Sequence, residues 1–211
     1  MAFLLASLLL QDPAWETSLR GRVSDPNGGA GDGLEYSDFF RTGYGASLQV
    51  SWMLDPAASS LGLWGSLGFD RFGGGGYEDD LGDRVSAEPL DRLLAMAGAR
   101  VRFLFDESER RGHSIFLDLR FGGGAALYEE VEGVFRVGGV TTKGVEIFEG
   151  GVQGAGEVAM SFGVVSRTFH FGFGPAYRWI GGPERGAGAS SAVDPEVWGE
   201  FSFEIGWEYR F

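Results

Sequence analysis

The sequence predicts an all-β fold, an eight-stranded antiparallel up-and-down transmembrane β-barrel. Three observations predict it. Apolar and polar residues alternate with period two through most of the chain after Ala14, short connections alternate with long ones, and the bulkiest side chains gather on the apolar face.

Composition narrows the alternatives first. The chain has 211 residues, a formal charge of -13, no Cys, 37 Gly and 18 Phe. Seventeen basic against 30 acidic residues exclude a nucleic-acid partner, because phosphate-backbone affinity needs clustered positive charge. The absence of Cys excludes a disulfide framework, a thiol nucleophile and Cys-ligated metals. High Gly alone would suggest disorder, but 14% Phe, Trp and Tyr place the glycines in ordered structure.

Residues 1–14 read as a signal peptide or N-terminal leader, and 15–211 as the barrel. Ala2 to Leu10 is continuously apolar yet far shorter than the ~20 residues of a membrane helix, and no other stretch is long and apolar enough for one.

Eight strands are expected at 15–23, 40–54, 61–72, 93–105, 113–129, 151–165, 168–180 and 197–211. In the second, Tyr44, Ala46, Leu48, Val50 and Trp52 oppose Gly45, Ser47, Gln49 and Ser51. In the last, Phe201, Phe203, Ile205, Trp207, Tyr209 and Phe211 share one face, while Glu200, Ser202, Glu204, Gly206, Glu208 and Arg210 share the other. Pro175 lacks a ladder donor and predicts a bulge in the seventh strand; Gly122 to Gly124 predict a bend in the fifth. Short links fall at 55–60, 106–112 and around Ser166, long ones at 24–39, 73–92, 130–150 and 181–196. An even strand number puts both termini at the short-turn end. Alternation does not say which face is inside, but volume does. The interior of an eight-stranded barrel is just wide enough for side chains to fill, so the aromatic face must point outward, which is viable only in lipid.

The ending Glu204-Ile205-Gly206-Trp207-Glu208-Tyr209-Arg210-Phe211 resembles the C-terminal assembly signal of bacterial outer-membrane barrels, with its polar, Gly, aromatic and terminal Phe positions at Glu204, Gly206, Tyr209 and Phe211. The Tyr-Arg-Phe ending also resembles the small barrels of the OmpX and OmpA-membrane-domain type. That resemblance implies the bacterial outer membrane, contact with its lipid and lipopolysaccharide, and recognition by the barrel assembly machinery.

The predicted lumen positions carry Arg20, Arg22, Arg100, Arg102, Arg120, Arg178 and Arg210 against Glu16, Asp70, Asp118, Glu157, Glu200, Glu204 and Glu208. Seven against seven suggests an interlocked salt-bridge network, since buried charges are costly unless paired. Arg100 with Asp118, and Arg22 with Glu204, fall at similar depth on neighbouring strands. Counted over Asp25–Asp38, Glu78–Arg92, Glu129–Glu149 and Glu184–Glu196, the four long loops and their borders hold 18 acidic and 5 basic residues, a balance equal to the charge of the whole chain. This reads as a solvated acidic face; divalent-cation bridging to lipopolysaccharide is the sharper alternative. Asp25 to Gly33 resembles a calcium loop in composition but not in spacing. Gly138-Gly139, between Val131–Val137 and Val140–Phe148, predicts a tight hairpin continuing beyond the membrane, a candidate protein partner site at 131–148.

Two His residues are present, His113 at a short turn and His170 facing the lumen near the same end; none lies in a long loop. No spacing suggests a metal site, a cofactor or a phosphate loop. The expected role is therefore a non-enzymatic structural or surface-interaction barrel with a plugged lumen. A narrow pore for small solutes and a lipid-modifying enzyme are the alternatives.

Overall fold

Residues 14–31, 33–54, 60–78, 82–105, 113–166, 169–188 and 195–210 are described by the computed structural model. Residues 1–13 of the expected leader and the terminal Phe211 lie outside them. The chain runs β1 (Ala14–Asn27), β2 (Gly29–Gly31), β3 (Leu34–Glu35), the helical turn α1 (Tyr36–Phe39), β4 (Phe40–Met53), β5 (Ser60–Gly74), β6 (Gly76–Glu78) and β7 (Arg84–Ala87). It continues through β8 (Leu90–Phe105), β9 (His113–Tyr128), β10 (Val131–Val137), β11 (Val140–Glu149), β12 (Gly151–Ser166), β13 (Phe169–Ile180), β14 (Glu184–Arg185) and β15 (Trp198–Arg210).

Eight of these strands close into an antiparallel barrel in the order β1-β15-β13-β12-β9-β8-β5-β4, each beside its neighbours in sequence and the first beside the last. Closure leaves no unpaired edge, which is what a sheet in hydrocarbon requires. The registers set the tilt. Followed around the barrel from Asp25 through Phe201, Tyr177, Val158, Phe121, Ala99, Leu63 and Trp52, the pairing returns to β1 at Trp15, a stagger of 10 residues (25 to 15). For eight strands that stagger corresponds to a tilt of about 40°.

Alternation then sorts side chains between lumen and exterior. Leu48, Leu67, Leu93, Phe121, Phe162, Phe203 and Trp207 are exposed on the outer face, and Arg20, Arg100, Asp118, Arg178 and Glu204 are buried inside. Tyr44 and Trp52 on β4, Phe169 and Tyr177 on β13, and Phe201 and Tyr209 on β15 point outward, eight residues apart in each pair. At this tilt they are about 20 Å apart along the axis, and their rings bound an apolar band of about 25 Å, the height expected in a bilayer. The fold is a transmembrane barrel.

Three local expectations are corrected. Pro175 causes no bulge: it stays in register with Phe203 on β15, and the β12–β13 register is the same at Ala159↔Ala176 and Phe162↔Phe173. Its missing N–H only interrupts the ladder between those pairs. Gly122 to Gly124 pair without a register shift on both sides. Gly122 instead makes room for a side chain, since a Cβ there would lie 2.4 Å from Trp64 Cζ2. The third correction is Trp64 itself, which with Phe116, Leu94 and Met96 is buried on the lumen side, so the interior is not purely polar.

The long connections are folded rather than merely solvated. They form a second, five-stranded sheet in the order β14-β11-β10-β7-β6. The hairpin turn forms at Gly138 (φ 56°) and Gly139 (φ 82°), where left-handed backbone favours glycine. The hairpin does not protrude alone: β10 pairs with β7 over Gly133–Arg136, and β11 pairs with β14 at Phe148 and Glu149. Beneath this sheet Trp198 is fully buried, with ring centroids 4.6 Å from Tyr36, 5.1 Å from Phe72 and 5.5 Å from Phe40. Phe148, Ile147, Val131 and Leu90 complete this core at the mouth of the barrel. Each such side chain contributes about 1.5–3 kcal/mol by burial.

Candidate functional site

The lumen holds the densest chemistry in the molecule, in three tiers. At the short-turn end, β8 supplies Arg100 and Arg102, β9 Asp118, β1 Glu16 and β15 Glu208. Arg102 Nε donates to Asp118 Oδ1 (2.9 Å), its Nη1 to Glu16 Oε1 (2.8 Å) and its Nη2 to Glu208 Oε2 (2.8 Å). Arg100 donates to Asp118 from Nε (3.1 Å) and Nη2, to Glu16 Oε2 (3.1 Å) and to Glu208 Oε2 (2.8 Å). Two planar guanidinium forks thus share three carboxylates, the arrangement that satisfies most donors at once.

In the middle tier, Glu204 on β15 accepts from Arg120 Nη2 and Arg178 Nη2, with Arg20 Nη1 at 3.9 Å. Arg120 also donates to Gln49 Oε1 (2.7 Å), Arg178 Nε to Glu157 Oε2 (2.6 Å), and Arg20 Nη2 to Glu208 Oε1 (2.6 Å). In the upper tier, Asp70 takes Arg22 Nε (2.5 Å) and Arg92 Nη2 (2.8 Å), while Glu200 takes Arg178 Nη1 (2.9 Å) and Arg92. Arg92 lies 5.0 Å from the Phe72 ring centroid and 5.6 Å from that of Trp198, joining the ionic lumen to the aromatic core above. A cavity of about 10 Å³ lined by Arg22, Arg120, Glu157 and Glu204 lies within the lattice, room for about one water molecule.

The residues singled out in the sequence come together here, with two differences. Asp118 is in register with Arg102 and bonds both Arg100 and Arg102. Arg22 is in register with Glu204 but pairs with Asp70, because Glu204 is taken by Arg178 on the adjacent strand β13 and by Arg120 on β9, three strands away. Arg92 escaped the sequence reading, which counted it with a loop; β8 begins at Leu90, and Arg92 shares parity with Arg100 and Arg102. Its inclusion makes the lumen eight Arg against seven acids. Of the assembly-signal residues, Glu204 and Gly206 face the lumen and Tyr209 faces outward, while Phe211 lies outside the described residues.

Among the described residues, the group with metal-ligand geometry is Glu16, His170 and Glu208, whose ligand atoms lie within 4.8 Å of one another. The donor set does not fit a cation. Both carboxylates already receive Arg100 and Arg102, and Arg210 Nη2 lies 3.1 Å from His170 Nε2. The acidic loop residues that are described form no such group.

An apolar exterior of membrane height, a closed strand order and a charged interior define the class: an outer-membrane β-barrel of the Gram-negative type. No protein-family model and no curated protein matches the chain. Among solved structures it is similar to Ail, the attachment invasion locus protein of Yersinia pestis, in complex with the heparin analogue sucrose octasulfate (15% identity, 95% of this chain and 100% of that one, TM-score 0.44). Neisserial surface protein A is similar at 12% identity over 95% and 100% of the two chains, TM-score 0.43. The outer membrane protease OmpT of Escherichia coli is similar at 10% identity over 94% and 96%, TM-score 0.38.

Proposed function

We propose that the protein is a sealed, non-enzymatic surface element of the outer membrane, whose barrel is a rigid anchor and whose folded acidic cap is the interacting part. The observation that carries this reading is the double closure of the lumen. Three tiers of paired charges fill it, and Trp198 with its aromatic neighbours covers the top. A rigid ionic lattice excludes solutes more effectively than a wide polar lining, because six of its eight guanidinium groups are each held by two or three carboxylates at once. The cap is strongly acidic, so polyanions are disfavoured partners and cationic proteins or peptides favoured ones. The exposed hairpin tip, Val137 and Val140 beside Gly138-Gly139, is the best surface for a protein contact within 131–148. The last barrel strand, β15, together with the Phe211 that follows it in sequence, is what the assembly machinery reads.

Planar-bilayer recordings test the sealed barrel. The purified protein should leave bilayer conductance at the bare-membrane level, and discrete conductance steps at neutral pH would reinstate the narrow pore.

A further inference from the structure

The seventeen basic residues divide unevenly. Eight arginines point into the lumen, four basic residues lie on the second sheet, and three lie outside the described residues. The remaining two, Arg41 and Arg71, are the only basic residues on the outer face of the barrel among those described, and they are neighbours. Arg71 on β5 is in register with Tyr44 on β4, and the Arg41 Cβ lies 3.5 Å from where a Cβ on Gly73 would be, on the lane Arg71 occupies.

Their height is the second observation. Tyr44 belongs to the aromatic ring nearer the long loops. Arg41 is three residues beyond it on the same strand, about 7 Å higher, and Arg71 is about 3 Å higher because the paired rows climb from β4 to β5. Both therefore stand just above the apolar band, at the depth of lipid headgroups. The Arg71 side chain is 60% exposed and gives one amino group to Asp91 Oδ2 at 3.3 Å. An exposed pair of this kind is weak and leaves the other donors available. Nearby Asp25 accepts a hydrogen bond from Thr42 Oγ1 at 2.6 Å and keeps its charge.

We propose that Arg41 and Arg71 form a binding site for the phosphate group of an anionic glycolipid in the outer leaflet. Two forked guanidinium groups clamp the phosphate oxygens, and Tyr44 packs below against the sugar and upper acyl chain. This rests on the membrane orientation derived above but not on the lumen being sealed.

The test uses the full chain refolded into detergent and offered bisphosphorylated lipid A, the same lipid enzymatically dephosphorylated, or inorganic phosphate, with retention read by native mass spectrometry. Lipid A should be retained, with affinity about 25-fold higher than in R41Q/R71Q, about fivefold for each arginine. The dephosphorylated lipid should bind the wild type no better than the variant. R41K/R71K should recover part of the difference, since charge is kept and the fork is lost. Equal retention of lipid A by wild type and R41Q/R71Q, or of both lipids by the wild type, would overturn the site. Inorganic phosphate matching the lipid in affinity would overturn the lipid assignment. A heat-modifiable gel shift establishes that each variant is folded, and unchanged bilayer conductance separates failure here from failure of the sealed barrel.

Discussion

Replacing Glu204 by Ala removes the carboxylate that holds two arginines, Arg178 from the adjacent strand β13 and Arg120 from β9, three strands away. Arg178 keeps Glu157 (2.6 Å) and Glu200 (2.9 Å), whereas Arg120 keeps Gln49 (2.7 Å), a 3.7 Å approach to Glu157 and the Trp64 ring, 5.7 Å from its centroid. Arg120 is thus left as an under-compensated buried cation, which costs about 3–5 kcal/mol. Glu184→Ala on exposed β14 provides the comparison and should lie within about 0.5 kcal/mol of wild type. Urea unfolding of both variants in lipid vesicles, followed by tryptophan fluorescence, gives the two values. The cycle with Arg120→Ala sharpens the test: removing both partners should cost less than the sum of the single changes by at least about 1 kcal/mol. Equal midpoints for Glu204→Ala and Glu184→Ala, or strict additivity in the cycle, would remove the ionic lattice as a source of stability.

Further expectations concern packing, titration and assembly. Gly122→Ala should destabilise the barrel by about 1–3 kcal/mol, because its Cβ would meet Trp64; a neutral result would mean that Trp64 does not occupy that place. Burial pushes the Tyr36 phenol, which donates to the Glu196 carbonyl at 2.9 Å, well above its ordinary range. The folded state then keeps a proton the unfolded state releases, so stability should fall as pH rises above about 10 and fall less steeply in Tyr36→Phe. Identical slopes would place Tyr36 in contact with water. Deleting Phe211 should slow assembly into membranes, and unchanged rate and yield would separate the last strand from recognition by the assembly machinery.

The barrel was legible because each of its strands carries period-two alternation long enough to fix parity, and parity assigns lumen and exterior. Trp64 and Phe116 were readable on the same ground, since they share parity with Asp70 and with Asp118; the expectation of a polar interior hid them. Arg92 was missed where the lumen changes character, between Leu90 and Leu94, so that neither polar nor apolar alternation marked the start of β8. The second sheet left almost no local trace. Its strands β6, β7 and β14 have 3, 4 and 2 residues and owe their form to partners far along the chain, as β7 does to β10. The choice of ion-pair partners was equally beyond sequence, because Arg22 and Glu204 are in register yet each pairs elsewhere, Arg22 with Asp70 two strands away and Glu204 with Arg178 on the adjacent strand and Arg120 three strands away.

Contact of the aromatic outer face with lipid can be read by thiol labelling of single-cysteine variants, which have no background because the chain lacks Cys. Phe203 is 49% exposed on the outer face within the apolar band, its neighbour Ser202 is fully buried in the lumen, and Val140 is 70% exposed at the hairpin tip. In vesicles, Phe203→Cys should react with a lipid-soluble maleimide and not with a charged, water-soluble one. Ser202→Cys should react with neither, and Val140→Cys with the water-soluble reagent. Labelling of Phe203→Cys by the water-soluble reagent as fast as Val140→Cys would contradict the membrane assignment.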